Sequence, residues 1–504
     1  MKKFLFKELV LIFIALFAIG LFACSKKEEN SNNNNNKTSS SSTEKPNSYW
    51  DADGNGIEDW TEQDVTLTFA TWQYTDDTMV TIDVLMAEEF MRLHPNVTIQ
   101  FVTVGEEYDY DANMMALMEI NELPDVFLIR RLETFLPNNM LANITEMYDN
   151  DPDTEFIFDS VKGSGIFDGK RYAIPTYIYP QFWVVNKTLL EEKNIPIPTY
   201  DWTWDQMESI AKQANDESKH IIGLYGRQGY YGEGCTRVYL NELPKILKIK
   251  NDAAVGRKWA GWAFDGERFN FDDDVFQESM NSLTNALNAG WAKTQISAED
   301  KLAFYNDEEF IPTTGGKVAV WCEASWSFKD QKDNMTFDWD VYPGPSGVTG
   351  GNTDIAGISS LCKNKQAAYQ FLKWMSYSEE GILARFNIYA TSGSELYQQG
   401  NNYPYPIVDY GIDAQGVNKI WDNIPYSDTA PGLVSAQFLE ALRNGAYTMN
   451  KEVCGWDAVD YVCGGYFAEI FNGTSTFAAL KQSIQEAADT EFEKLKDNLR
   501  KMLQ

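Results

Sequence analysis

The stretch VTLTFATW, residues 65–72, alternates apolar and polar side chains in the way of a half-buried strand. TMVTIDVLMAEEFMRLHP (78–95) follows, with Val80, Val84, Leu85, Phe90 and Met91 at roughly helical spacing and Pro95 to end the run. NVTIQFVTV (96–104) reads as a second strand and YDANMMALMEINELP (110–124) as a second helix. DVFLI (125–129) reads as a third, fully buried strand. Strand, helix, strand, helix, strand with short links predicts a parallel sheet in an α/β layer fold. The chain has no GxGxxG and no P-loop, which disfavours a nucleotide-binding α/β domain.

Further motifs follow in order. FDGKRYAIPTYIYPQFWVVNKTLLEEKNIPIPTYDWTWDQMESIAKQ (167–213) holds a Gly-Lys-x-Tyr-x-x-Pro turn, a strand ending in Asn-Lys and a Thr-Trp-Asp helix start. GKVAVWCEASWSF (316–328), VYPGPSG (341–347) and GGNTDIAGISSLCKNKQAAYQFLKWMSYSEEG (350–381) come next. With TFATW, HPNVTIQFVTV and LPDVFLI, these segments resemble the extracellular solute-binding proteins of sugar-type ABC importers. The resemblance is strong over 64–381 and looser in the C-terminal helices.

It implies two α/β lobes joined by hinge strands that close over a ligand. The N-terminal lobe would hold 64–174 and 350–378, and the C-terminal lobe 175–349 and 379–504. The hinges would fall at Pro175 and the Gly-rich stretch 344–351, where a few loop residues absorb the backbone rotation. Glu323 and Trp326 fall where the family keeps a polar residue and a ligand-stacking Trp. Chain length and the N-terminal loop described below are similar to the oligosaccharide-binding branch.

A sugar offers apolar ring faces and dense hydroxyls, so its site needs aromatic faces and a few placed carboxylates and amides. In α/β sheets such groups stand at the C-terminal ends of strands. Trp72 and Gln73 follow the first strand, Asp76 and Asp77 precede the next helix, and Arg130 and Arg131 follow the third strand. Tyr177 and Tyr179 flank the first crossing, and Arg227, Tyr230 and Tyr231 lie in the Gly-rich GRQGYYGEG. Trp259 and Trp262 read as packing. Thr203 to Gln206 reads as a capping box, and FDDDV (271–275) as a helix start with an Asp cap.

The N-terminus sets the address. Lys2, Lys3 and Lys7 precede fifteen apolar residues, Leu9 to Ala23, the form of a secretory signal and too short for a spanning helix. Leu21-Phe22-Ala23-Cys24 resembles a bacterial lipobox, which implies cleavage of 1–23 and a lipid on Cys24. Residues 24–50 are polar and low in complexity, a flexible tether. DADGNGIEDWTE (51–62) then spaces Asp51, Asp53, Asn55, the Ile57 carbonyl, Asp59 and Glu62 as the ligands of a calcium loop, with Gly56 at the turn. No helix pair flanks it, so the expected role of Ca²⁺ is structural, stiffening the junction of tether and body. Cys454 and Cys463 are close enough in sequence to bridge; spacing alone does not fix pairing.

The formal charge of −32 disfavours nucleic acid and anionic lipid as partners. His94 and His220 are the only histidines; neither has a nucleophile motif nearby, and no HExxH or GxSxG occurs. A carboxylate pair could still hydrolyse glycosides. The expectation is a monomeric, non-enzymatic, membrane-anchored receptor that hands a carbohydrate to a separate ABC permease. A polysaccharide-binding adhesin and a glycoside hydrolase are the alternatives, and a peptide or other polar solute stays open as ligand.

Overall fold

The computed structural model describes residues 49–503 apart from 79, 106–108, 227–234, 392–404, 426, 446, 449–453 and 472. Its strands in chain order are β1 (Val65–Ala70), β2 (Val97–Phe101), β3 (Val126–Ile129), β4 (Ile166–Phe167), β5 (Lys170–Arg171) and β6 (Ile174–Asn186). Then come β7 (Ile222–Tyr225), β8 (Ala292–Lys293), β9 (Val318–Ala324), β10 (Trp339–Tyr342), β11 (Gly350–Ile358) and β12 (Tyr447–Thr448). β4 and β5 form a small hairpin, and the rest form one sheet ordered β2-β1-β3-β11-β6-β9-β7-β8, with β10 also on β6 and β12 also on β11.

The first three strands are parallel, as their helical links require. The sheet as a whole is mixed rather than parallel. β11 runs antiparallel to β3 and β6, and β9 and β10 run antiparallel to β6. The cause is topological, because the chain leaves the first lobe along β6 and returns along β11.

β6 is the member that joins the lobes. Its 13 residues are all buried. The first half pairs with β11, from Ile174 to Pro180, and the second half pairs with β9, from Gln181 to Val185. A run buried on both faces needs apolar side chains throughout, which explains why IPTYIYPQFWVVN shows little alternation. Gly351 lies against this strand; a Cβ there would meet the Ile178 side chain at 2.6 Å.

Two apolar cores flank the crossing. One gathers Leu67, Phe90, Phe127 and Phe371; the other gathers Trp183, Trp202, Trp204, Phe276 and Trp456. Successive β6 residues divide between them, Phe182 and Val184 to the first, Trp183 and Val185 to the second. Trp183 is fully buried, and its Nε1 donates to Glu242 Oε2 at 3.2 Å. Burial of an apolar side chain of this size contributes ~1.5–3 kcal/mol. Trp259 and Trp262 also pack in the second core.

Local signals hold where they were read. Thr203 and Gln206 form the capping box of the helix Trp204–Ala214, and Asp273 caps Asp274–Asn288 by accepting from the Val275 amide. The helix Ile82–Leu93 buries Asp83, Met86, Ala87 and Phe90, whereas Val80 is exposed, so the predicted apolar face is rotated.

The lobe boundary also differs from expectation. The helix Glu379–Thr391 packs on Ile82–Leu93 in the first lobe, with Ile382 and Phe386 in the first core, so the second lobe does not resume at 379. The helix Phe477–Met502 buries Phe477, Ile484, Ala488 and Phe492 in the second core and Leu499 in the first. Cys454 and Cys463 are both free thiols. Among the described residues no helix is long and apolar enough to cross a membrane.

Candidate functional site

Tyr177 and Tyr179 stand two residues apart on β6 and therefore share one face. Their rings meet edge to face at 5.2 Å. From the second lobe, the turn Ser325–Ser327 that follows β9 brings Trp326 to 5.9 Å from Tyr179, again edge to face. Tyr177 and Tyr179 are buried, while Trp326 stays half-buried. Glu323 lies on β9 opposite Phe182, and its carboxylate accepts from the Ala324 amide at 3.2 Å. Burial raises both tyrosine hydroxyls well above their ordinary range, so they remain neutral donors. The strip thus joins aromatic rings from the crossing strand and the second lobe.

Charge stands behind this strip. Asp354 on β11 pairs with Tyr177 in the ladder and is 3% exposed. The Arg385 guanidinium lies 5.3 Å from the Tyr177 ring centre and 3.8 Å from Asp83. Its Nη2 donates to the Met375 carbonyl at 3.2 Å. These groups fix the crossing strand against the helices of the first lobe.

The strand-end residues are arranged differently from one another. Trp72 is packed in the first core, edge to face with Tyr110 at 5.5 Å. Gln73 is half-buried, and its backbone N–H donates to Thr71 Oγ1. Asp77 is exposed; its neighbour Asp76 accepts from the amide and hydroxyl of Thr78, which lower its pKa. Arg130 is half-buried. Arg227, Tyr230 and Tyr231 lie outside the described residues.

Arg131 makes a cross-lobe contact. Its Nε lies 3.2 Å from Asp457 and 3.6 Å from Asp111. Asp457 opens the helix Trp456–Phe471, whose Trp456, Val459, Cys463 and Phe467 pack in the second core. Asp460 and the exposed Tyr461 fall on the same outward side as Asp457. The sequence reading missed Asp111, Glu133, Asp457, Asp460 and Tyr461. The available signal was the helix itself, with apolar residues at 456, 459, 463 and 467 opposite carboxylates at 457 and 460.

Burial, then the Asp457 carboxylate, push Glu133 up to about 7 against the pull of the Gly455 amide and Arg131. Burial and Asp457 push Asp460 up to about 6. A carboxyl raised in the fold favours folding below its unfolded value, and that advantage is lost as pH rises through the folded value. Unfolding free energy should therefore fall by ~1–2 kcal/mol between pH 4.5 and 8 through Glu133, allowing for partial solvent screening. Glu133→Gln is expected to flatten that part of the profile in denaturant titrations. An unchanged profile would remove Glu133 from this role.

The N-terminal loop is built onto the first lobe. Trp50 and Trp60 are buried in its core, and Trp50 Nε1 donates to the Asn150 carbonyl at 3.2 Å. Asp51 is 6% exposed and accepts from the amides of Asn55 and Gly56. Gly56 has φ +89°, a conformation that favours glycine. Oxygens of Asp51, Asp53 and Asp59 lie within 4.8 Å of one another. Calcium takes oxygens at ~2.3–2.6 Å, so donors on opposite sides of one ion span about that distance, and the set fits the ion. The Asn55 amide nitrogen donates to Asp53 and Glu62, and its oxygen accepts from Ile57. Ligation by Asn55 would require that amide to turn over. Asp151, in the acidic stretch 149–153, is a buried structural acid, ion-paired with Lys373 at 2.7 Å and bonded by Tyr377.

Comparison with known proteins follows from this geometry. Residues 86–393 match the family described as bacterial extracellular solute-binding protein. An ABC substrate-binding protein from Listeria monocytogenes in complex with cycloalternan shares 19% identity over 88% of this chain and 99% of its own, with a TM-score of 0.55. A sugar transporter from Rhizobium etli in an open conformation shares 17%, over 84% and 99%, with a TM-score of 0.62. The cyclic alpha-maltosyl-1,6-maltose binding protein from Arthrobacter globiformis shares 16%, over 86% and 99%, with a TM-score of 0.60. At these identities the likeness is one of fold, that of the two-lobed binding proteins. The family match spans more than half of the chain, which therefore belongs to the bacterial extracellular solute-binding proteins.

Proposed function

We propose that this protein is the carbohydrate receptor of an ABC importer, taking an oligosaccharide between its lobes and presenting it to a membrane permease. The observation that carries the reading is the strip of Tyr177, Tyr179 and Trp326, where the crossing strand meets the second lobe. A structural neighbour in complex with cycloalternan and one named as a cyclic alpha-maltosyl-1,6-maltose binding protein support the ligand class. Ligand bridging both lobes favours the closed state because only that state makes both sets of contacts. No bond is made or broken, so the sugar leaves as it came. The chain acts as a monomer, held at the outer face of the membrane by a lipid on Cys24 and a tether that ends before Trp50, which packs in the first core. In this reading Asp51, Asp53, Asn55, Ile57, Asp59 and Glu62 hold a structural Ca²⁺ that stiffens the junction, with no part in the cleft.

The test is thermal unfolding of residues 50–504 against an oligosaccharide panel, with calcium and with chelator. A ligand at a hundredfold excess over its Kd adds ~2.7 kcal/mol to the folded state. A sugar hit of equal size in both conditions is expected, with a lower baseline midpoint under chelator. No hit across the panel would overturn the carbohydrate reading. A hit only with calcium would move the loop into the binding mechanism. Product formed on long incubation would instead make the protein a hydrolase.

A further inference from the structure

Three charged groups of the first lobe meet the second lobe at one place. Arg131 precedes the short helix Leu132–Phe135 and Glu133 lies in it, just past the C-terminal end of β3, where crevices open in α/β sheets. Asp111 stands in the first turn of the helix Tyr110–Glu119. Opposite them are Cys454 and Gly455, then Asp457 and Asp460 at the start of the helix Trp456–Phe471. Cys454 packs against the first core, although Trp456 beside it belongs to the second. The Gly455 N–H donates to the Glu133 carboxylate, so this acid is held by the lobe opposite its own. Gly455 has φ +93°, and a Cβ there would meet Phe492 at 3.1 Å, which keeps the turn free of a side chain.

The contacts across this boundary pull in different directions. Arg131, 3.2 Å from Asp457, draws the lobes together, but the two side chains are 41% and 40% exposed, and such a pair contributes ~0–1 kcal/mol. Arg131 is also shared with Asp111 at 3.6 Å. Glu133 is half-buried at the Cys454–Gly455 turn and feels the like charge of Asp457. Asp460, one turn on, adds a further carboxyl to that side, whereas the Cys454 thiol, pushed up by burial and by Glu133, adds no charge. Ionised, Glu133 loses water and meets repulsion when the lobes come together. Protonated, it escapes both costs, and its carbonyl oxygen still accepts from Gly455.

We propose that this boundary is a proton-sensitive latch, in which Glu133 binds a proton as the lobes close and releases it as they part. Opening carries the Glu133 carboxylate away from Gly455 and Asp457 into water, while Arg131, on the same lobe, stays beside it. Burial and Asp457 hold Glu133 up at about 7 in the closed form, and water returns it toward the ordinary ~4.3. The proton-linked advantage of the closed form is therefore present in mild acid and lost as pH rises through about 7. From pH 6 to pH 8 the closed-to-open ratio should fall about 3- to 10-fold, allowing for solvent around a half-buried group. By reciprocity, any ligand that closes the lobes takes up part of a proton near neutral pH and binds more tightly at pH 6 than at pH 8.

The latch needs no particular ligand, so its test stands apart from that of the carbohydrate reading. The experiment is small-angle X-ray scattering of the full chain, with no ligand added, from pH 5.5 to pH 8.5. The radius of gyration is expected to grow between pH 6 and pH 8 at constant secondary structure, which circular dichroism checks. Glu133→Gln keeps the shape of the acid and stays neutral, so it should remain compact across the range. Asp457→Asn removes the like charge that Glu133 meets and should shrink the change. A radius that does not vary with pH would overturn the proposal. So would a full-size change in Glu133→Gln, which would place the titrating group elsewhere, His94 and His220 included. Expansion with loss of helix would overturn it too, because pH would then unfold a lobe rather than part the two.

Discussion

Arg385→Met should cost the first lobe about 3–5 kcal/mol of unfolding free energy, the effect of stripping one partner from a buried ion pair. Arg385 is 6% exposed and Asp83 is 2% exposed, at 3.8 Å. Removing the guanidinium leaves Asp83 in a dry site with the Thr71 hydroxyl as its remaining bond and Asp354 as a nearby like charge. Burial already holds Asp83 above the usual carboxylate range, against the pull of Arg385 and Thr71. In the variant it would rise further. A raised carboxyl is least costly when protonated, so the loss should be larger at pH 8 than at pH 5. Asp83→Asn with Arg385→Met removes both charges and should recover part of the loss. The measurement is the first transition in urea, since a two-lobed chain need not unfold in one step. A single variant within 1 kcal/mol of wild type would mean that water, not the ion pair, satisfies Asp83. Arg385 also faces the Tyr177 ring, so the variant should loosen the crossing strand as well.

The same pair shows why part of this fold was legible in sequence and part was not. Local rules act over a few residues, and there the reading held. Val65–Ala70, Val97–Phe101 and Val126–Ile129 fall inside the predicted strands, and Thr203 caps its helix as its side chain dictates. The buried face of Ile82–Leu93 was misplaced because one of its inward residues is Asp83. Hydrophobic periodicity cannot place an acid inside, and the partner that allows it is Arg385, some 300 residues later.

The mixed sheet has the same origin. β6 reads as an apolar run consistent with parallel burial, but its neighbours β9, β10 and β11 arrive from distant parts of the chain in the opposite direction. In the candidate site, Trp326 and Glu323 were proposed from the likeness of GKVAVWCEASWSF to a known pattern. Asp457 was not, because its meaning comes from Arg131 across the lobes. Trp72 was given a ligand role from its place after β1, and its ring packs edge to face on Tyr110 in the first core. An aromatic at a strand end faces the cleft only if no helix behind the strand claims it first.

Trp326 escapes that fate, and its removal should be the larger functional effect. It is half-buried, with its ring edge to face with Tyr179 and its backbone in a short turn rather than in a core. Trp326→Ala is expected to weaken the oligosaccharide by ~1–3 kcal/mol, roughly 5- to 150-fold in Kd, the scale of one lost aromatic contact. Unfolding of the free protein should change little, since the side chain leaves no large sealed void. Trp326→Phe keeps a ring face and should retain most of the affinity. That ordering, Trp above Phe well above Ala with near-constant stability, distinguishes a stacking platform from a packing residue. A packing residue would move stability first and affinity only in proportion. Wild-type affinity in the alanine variant would mean that the sugar rests elsewhere, and the strip at the crossing strand would then be a hinge support. That loss would make Trp326 the point at which ligand binding draws the second lobe onto β6, because the ring that would meet the sugar also touches Tyr179.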